Sequence, residues 1–200
     1  MTKALDLTIV RGSTFSLVVL PEAPPIIYKA ITAALQTAPL RLTVPGHGLV
    51  SGRKVAITNM KGMTEANAVA NEVRESDRRP CTVIDPNTIE INAINAAGFR
   101  PYISGGILQY NTPLDLTGYI ARMSITDKLD GTELFRLDTL NGRITVNTTD
   151  GTLTLTISAV ESAALTFSKG VYDLEIESPS GVVTKLLYGA VTVSKEATTT

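Results

Sequence analysis

The chain has 200 residues, 44% of them hydrophobic and 18% charged, so it can bury a real core without staples and is too apolar to stay disordered. Lys plus Arg number 18 against 19 Asp plus Glu, and the formal net charge of -1 excludes a general electrostatic pull toward nucleic acid. A single cysteine excludes an intrachain disulfide, and no apolar run approaches the roughly 20 residues of a transmembrane helix, so neither nucleic acid nor membrane is expected as a partner.

The opening Met1-Thr2-Lys3-Ala4-Leu5-Asp6 lacks the basic stretch and apolar run of a signal peptide, and a soluble protein made in a reducing cytoplasm is expected. Leu5, Leu7 and Ile9 then alternate with polar residues, Arg11-Gly12-Ser13 turns, and Phe15 to Leu20 forms a second apolar run. Pro21-Glu22-Ala23-Pro24-Pro25 breaks this pattern. An Ala-rich segment follows, with turns at Pro45-Gly46-His47-Gly48 and Ser51-Gly52, a run at Val55-Ala56-Ile57, and a polar stretch from Glu72 to Arg79. Cys81 to Ile91 reads as a hairpin turning at Asp85-Pro86-Asn87, and the pair Gly105-Gly106 is taken as the end of this module.

From Asp115 onward short alternating runs are separated by turn chemistry. Ile144 and Val146 form one apolar face and Leu153, Leu155 and Ile157 another, with Asn141-Gly142 and Asp150-Gly151 as turns of a meander of at least three strands. Ser158 and Glu161 have the spacing of a capping box, which predicts one short helix ending near Gly170. Tyr172, Leu174 and Ile176 alternate again, Pro179-Ser180-Gly181 turns, and Val182 to Val193 returns as a long strand. The strands at the start of the chain need partners, so the expected fold is an all-β, immunoglobulin-like antiparallel sandwich that is discontinuous, residues 1–22 plus 107–200. Residues 23–106 are expected as an inserted small β-barrel-like domain.

Few residues invite chemistry. His47 is the only histidine and sits between two glycines, where a tight turn with a locally bonded imidazole is expected; acyl transfer would need a nucleophile and an orienting acid beside it. Cys81 opens a strand as a small buried hydrophobe, and only Arg78 and Arg79 hint at a cation that could activate it. One Cys and one His cannot supply the four ligands of structural zinc. Asp127, Asp130 and Glu133 flank Gly131 without the full spacing of a calcium loop, and a solvated hairpin tip is expected. Arg74, Arg78 and Arg79 are interleaved with Glu72, Glu75 and Asp77, which reads as a mixed-charge exposed loop. No phosphate-binding glycine loop or nucleophile elbow occurs. The expectation is therefore no catalytic, cofactor-binding or metal residues, and no enzyme.

Leu5-Asp6-Leu7-Thr8-Ile9, Gly12-Ser13-Thr14-Phe15-Ser16-Leu17, Leu114-Asp115-Leu116-Thr117-Gly118-Tyr119-Ile120-Ala121-Arg122-Met123 and Gly170-Val171-Tyr172-Asp173-Leu174-Glu175 resemble the immunoglobulin-like N-terminal domain of phage baseplate upper proteins. Ser178 to Leu187 and Gly189 to Ser194 look like the closing strands of phage tail-region proteins. Within the insert, Pro45-Gly46-His47-Gly48-Leu49, Gly52-Arg53-Lys54-Val55-Ala56-Ile57, Lys61 to Asn67 and Val83 to Ile91 are similar to the first catalytic-cysteine half-domain of ubiquitin-activating enzymes, a module that does not itself supply catalysis.

These resemblances imply a structural component of a tailed bacteriophage virion, at the tail, the baseplate or a tail-fibre attachment, packing against other virion proteins and copies of itself. A capsid decoration protein is the alternative, since a head lattice also requires only a self-complementary surface. A host-glycan binder or an enzyme has least support, with 5% aromatic residues and no tryptophan for a sugar platform.

Overall fold

The computed structural model describes residues 2–69 and 72–195. They are nearly all β, and the chain divides into two compact units: one built from the chain up to Pro21 and from Pro113 on, the other from Glu22–Thr112. The first begins with β1 (Lys3–Ala4), β2 (Leu7–Val10) and β3 (Phe15–Val19). In β2 the period-2 alternation puts Leu7 and Ile9 in the core and Thr8 and Val10 outside. The turn at Arg11-Gly12-Ser13, with Gly12 at φ +79°, carries the chain from one sheet to the other.

The second unit holds β4 (Glu22–Ala30), β5 (Ala33–Leu35), β6 (Leu40–Thr43), β7 (Lys54–Lys61), β8 (Arg79–Pro80), β9 (Thr82–Asp85), β10 (Thr88–Ile91) and β11 (Ser104–Pro113). They form two open four-stranded sheets, β5-β6-β10-β9 and β4-β11-β7-β8, rather than a closed barrel. Their shared core contains Leu40, Leu42, Ile57, Met60, Ile89, Ile91, Leu108 and Tyr110. Of residues 21–25, expected to interrupt the strands, Glu22 to Pro25 instead open β4. This is a sheet edge, where a proline's missing N–H costs no ladder bond, and Pro24 and Pro25 are both exposed.

Gly105-Gly106, expected to close the insert, lies inside β11. Both residues have positive φ, +70° and +101°, and a Cβ on Gly106 would come within 3.2 Å of Ile31. The pair bends the strand over Ile31, and β11 continues, pairing Leu108 with Ile57 and Gln109 with Ala56. Residues 107–112 therefore belong to the second unit, not to the sandwich as expected, and the divisions fall at 21/22 and 112/113.

The first unit resumes with β12 (Ile120–Thr126), β13 (Glu133–Asp138), β14 (Ile144–Asn147), β15 (Thr152–Ile157), helix α1 (Ala159–Ala163), β16 (Lys169–Glu177) and β17 (Val183–Ser194). One sheet runs β1-β17-β16-β12-β13, with β2 also on β17; the other is β14-β15-β3. Their apolar faces make one sandwich core, Met123, Ile125, Leu174 and Ile176 from the first sheet and Leu153, Leu155 and Ile157 from the second. Each such fully buried side chain contributes about 1.5–3 kcal/mol. Strands β1 and β2 lie parallel to β17, and β3 is antiparallel to β15, so among the described residues the N-terminal strands pair with strands from beyond Pro113.

The expected meander is cut at Asn141-Gly142. Strands β13 and β14 sit in different sheets, and Asn141 makes the corner: its Oδ1 accepts from Asp138 N and Arg143 N, and its Nδ2 donates to Arg136 O. Asp150-Gly151 does close a hairpin, β14 to β15. The capping box is present, with Ser158 Oγ accepting from Glu161 N while Glu161 Oε2 accepts from Ser158 N at 2.9 Å and from its hydroxyl at 2.7 Å. No helix among the described residues is long and apolar enough to cross a membrane.

Candidate functional site

Among the described residues the buried polar side chains are His47 and Arg53 in the second unit and Asp138 and Ser162 in the first; His47 and Arg53 lie in the same unit as the buried Cys81. The loop between β6 and β7 turns through Gly46 and Gly48, at φ +60° and +64°, and this folds His47 inward until it is 2% exposed. Its Nδ1 accepts from Leu49 N–H at 3.0 Å, and its Nε2 lies 3.0 Å from the carbonyl of Asp85. The ring is therefore the neutral Nε2–H tautomer, because Nδ1 faces a donor and Nε2 an acceptor. The Tyr110 hydroxyl donates to the carbonyl of His47, and burial pushes that phenol above its usual pKa.

The same loop is tied to the β9–β10 hairpin a second time. Asn87 accepts from Gly46 N through its side chain and from Val44 N through its carbonyl, at 3.0 and 2.7 Å. Asp85 turns its carboxylate onto Asn87 N, and that bond holds its pKa below the ordinary value. Gly46 to Leu49 together with Val83, Asp85 and Pro86 line an apolar cleft of about 540 Å³.

Cys81 is buried, with its backbone paired to Arg53 O and Gly52 N. Burial pushes its thiol up to about 11, so it is protonated at neutral pH and a poor nucleophile. The cation bearing on it is Arg53, not Arg78 or Arg79. Arg53 is 1% exposed and ion-paired at 3.6 Å with Glu22, which also accepts from Asn111. Arg53 falls within the Gly52–Ile57 block, but nothing in the sequence joins it to Glu22, which lies 31 positions earlier and outside that block.

The remaining candidates are committed to local structure. Asp127 Oδ1 accepts from Lys128 N and Thr132 N and so closes the hairpin tip, Asp130 supplies a positive φ of +55°, and Glu133 accepts from Ser124. Among the described residues no three His, Cys, Asp or Glu side chains are grouped to hold a metal. Arg74 N donates to Asp77 and Arg79 donates to Ser76 O within the stretch, and Glu75 pairs with Lys54 on β7.

A smaller cleft of about 270 Å³ lies in the first unit, lined by Leu134, Phe135, Leu165 and Phe167 beside the Arg143–Glu161 ion pair. Arg143 stacks over Phe135, 4.7 Å from the ring centre.

A family model, the ubiquitin-activating enzyme E1 FCCH domain, matches residues 42–110. The match lies wholly within the second unit and takes in His47, Arg53, Cys81, Asp85 and Tyr110. The inserted module is thus similar to that half-domain. No curated protein matches the chain.

Proposed function

We propose that this chain is a structural component of a tailed bacteriophage particle, sited at the tail, baseplate or fibre attachment. It acts by packing against other virion proteins and copies of itself, without catalysis. One observation carries the reading. The blocks that resemble the baseplate immunoglobulin-like domain are scattered over the sequence, yet Ile9, Leu17, Met123, Tyr172 and Leu174 from them pack in or against one sandwich core. The sandwich is a scaffold for surfaces, and the second unit, set between β3 and β12, extends the surface it offers.

The buried polar groups fit this reading. His47 is bonded through both ring nitrogens, and the Cys81 thiol is protonated, so both serve structure. Quantitative mass spectrometry of purified particles should find the chain in a fixed copy number, and gold-labelled antibody should decorate tails. Labelling of heads would favour the decoration-protein alternative. Absence from purified particles would overturn the structural reading altogether.

A further inference from the structure

His47 joins two elements through backbone groups on opposite sides of one ring, and the two bonds respond differently to a proton. Nε2–H donates to the Asp85 carbonyl whether the ring is neutral or charged. Nδ1 accepts from Leu49 N–H only while it is unprotonated. A proton added there sets two donors against each other, 3.0 Å apart, inside a site where the ring has almost no access to water. The bond to Leu49 therefore exists only while Nδ1 carries no proton.

We propose that the Gly46–Leu49 loop is an acid-sensitive latch: protonation of His47 releases Leu49 and loosens the loop along the cleft it shares with Val83, Asp85 and Pro86. The titratable groups around the ring do not offer a replacement acceptor on the Nδ1 side. Asp85 presents its carbonyl to Nε2, and its carboxylate is engaged by Asn87 N. On β11 the Tyr110 phenol donates to the carbonyl of His47, not to its ring. Next to that phenol, the Cys81 thiol is protonated. The Asn87 bonds to Val44 and Gly46 contain no titratable group, so they keep the start of the loop in place while its far end opens.

Amide hydrogen exchange by NMR on the full chain tests this. Between pH 7.5 and pH 5, the protection factor of Leu49, corrected for intrinsic exchange, should fall at least about threefold, the equivalent of one lost backbone bond, while amides of β6 and β10 keep theirs. In a His47→Gln variant, whose side-chain amide does not titrate, the fall should vanish. Unchanged Leu49 protection in the wild type, or an equal fall in the variant, overturns the latch. Should the variant not fold, long-range nitrogen correlation spectra of the wild-type ring decide: the proposal requires an unprotonated Nδ1 and protonated Nε2 at pH 7.5, and an imidazolium or the opposite tautomer there refutes it.

Discussion

Glu161 shows how much one side chain at a helix start can organise. It accepts from the backbone and hydroxyl of Ser158 and pairs with Arg143 at 2.7 Å, and those bonds, the backbone one first, hold its carboxyl down at about 2. A carboxyl depressed in the folded state contributes stability above its ordinary pKa, near 4.5, and loses it as pH falls toward 2. Acid titration of thermal stability should therefore show a decline across that window that Glu161→Gln flattens. Ser158→Ala removes the other half of the box and should cost about 1 kcal/mol in urea unfolding at pH 7.

At the scale of elements, β17 depends on one missing side chain. Asp6 Oδ1 accepts from Ala190 N as the chain passes from β1 to β2, and a Cβ on Gly189 would sit 2.3 Å from the carbonyl oxygen of Leu5. Gly189→Ala should therefore push β1 away from β17 and lower the melting temperature by several degrees, on the order of 1–3 kcal/mol of overpacking, read by calorimetry. A melting point unchanged from wild type would show that the crossing relaxes freely.

Where a strand has one wet and one dry face, the sequence announces it. Leu153, Leu155 and Ile157 alternate with threonines and are all fully buried, and the Ser158 capping box and the hairpin turning at residues 85–87 are equally local signals. The misread places are those whose meaning depends on distant neighbours. Pro24 and Pro25 break a strand only if it is interior, and Gly105-Gly106 marks a bend instead of an end because Ile31 lies against it. Asn141-Gly142 resembles a hairpin turn until the next strand is found in the other sheet. In the candidate site, His47 and Cys81 stand out as single residues of their type. Their partners do not, because Leu49 N, Asp85 O and Arg53 O are backbone groups that any sequence provides.

For the whole molecule, the way the second unit leaves the first is the main consequence of the topology. Leu114 N donates to Pro21 O at 3.1 Å, so the two chain ends bordering the insert lie side by side. Leu108 and Tyr110 belong to the insert's core, so a clean excision joins Pro21 to Pro113 through a short glycine-serine linker; a junction at Leu108 would drag buried side chains into water. The excised protein should unfold cooperatively with β-type circular dichroism. A molten product would show that the sandwich needs the insert to fold.

The parallel pairing of β2 with β17 has a mechanical meaning. Leu7 lies opposite Val191 and Val10 opposite Ser194, so a pull that separates the start of the chain from its end acts along the two strands in opposite directions. Such a load shears the whole ladder at once, whereas antiparallel strands pulled at one shared end unzip bond by bond. Tension between Lys3 and Ser194 therefore loads the β1–β17 and β2–β17 ladders in shear, whereas tension across the open end of the β14–β15 hairpin loads its bonds one after another.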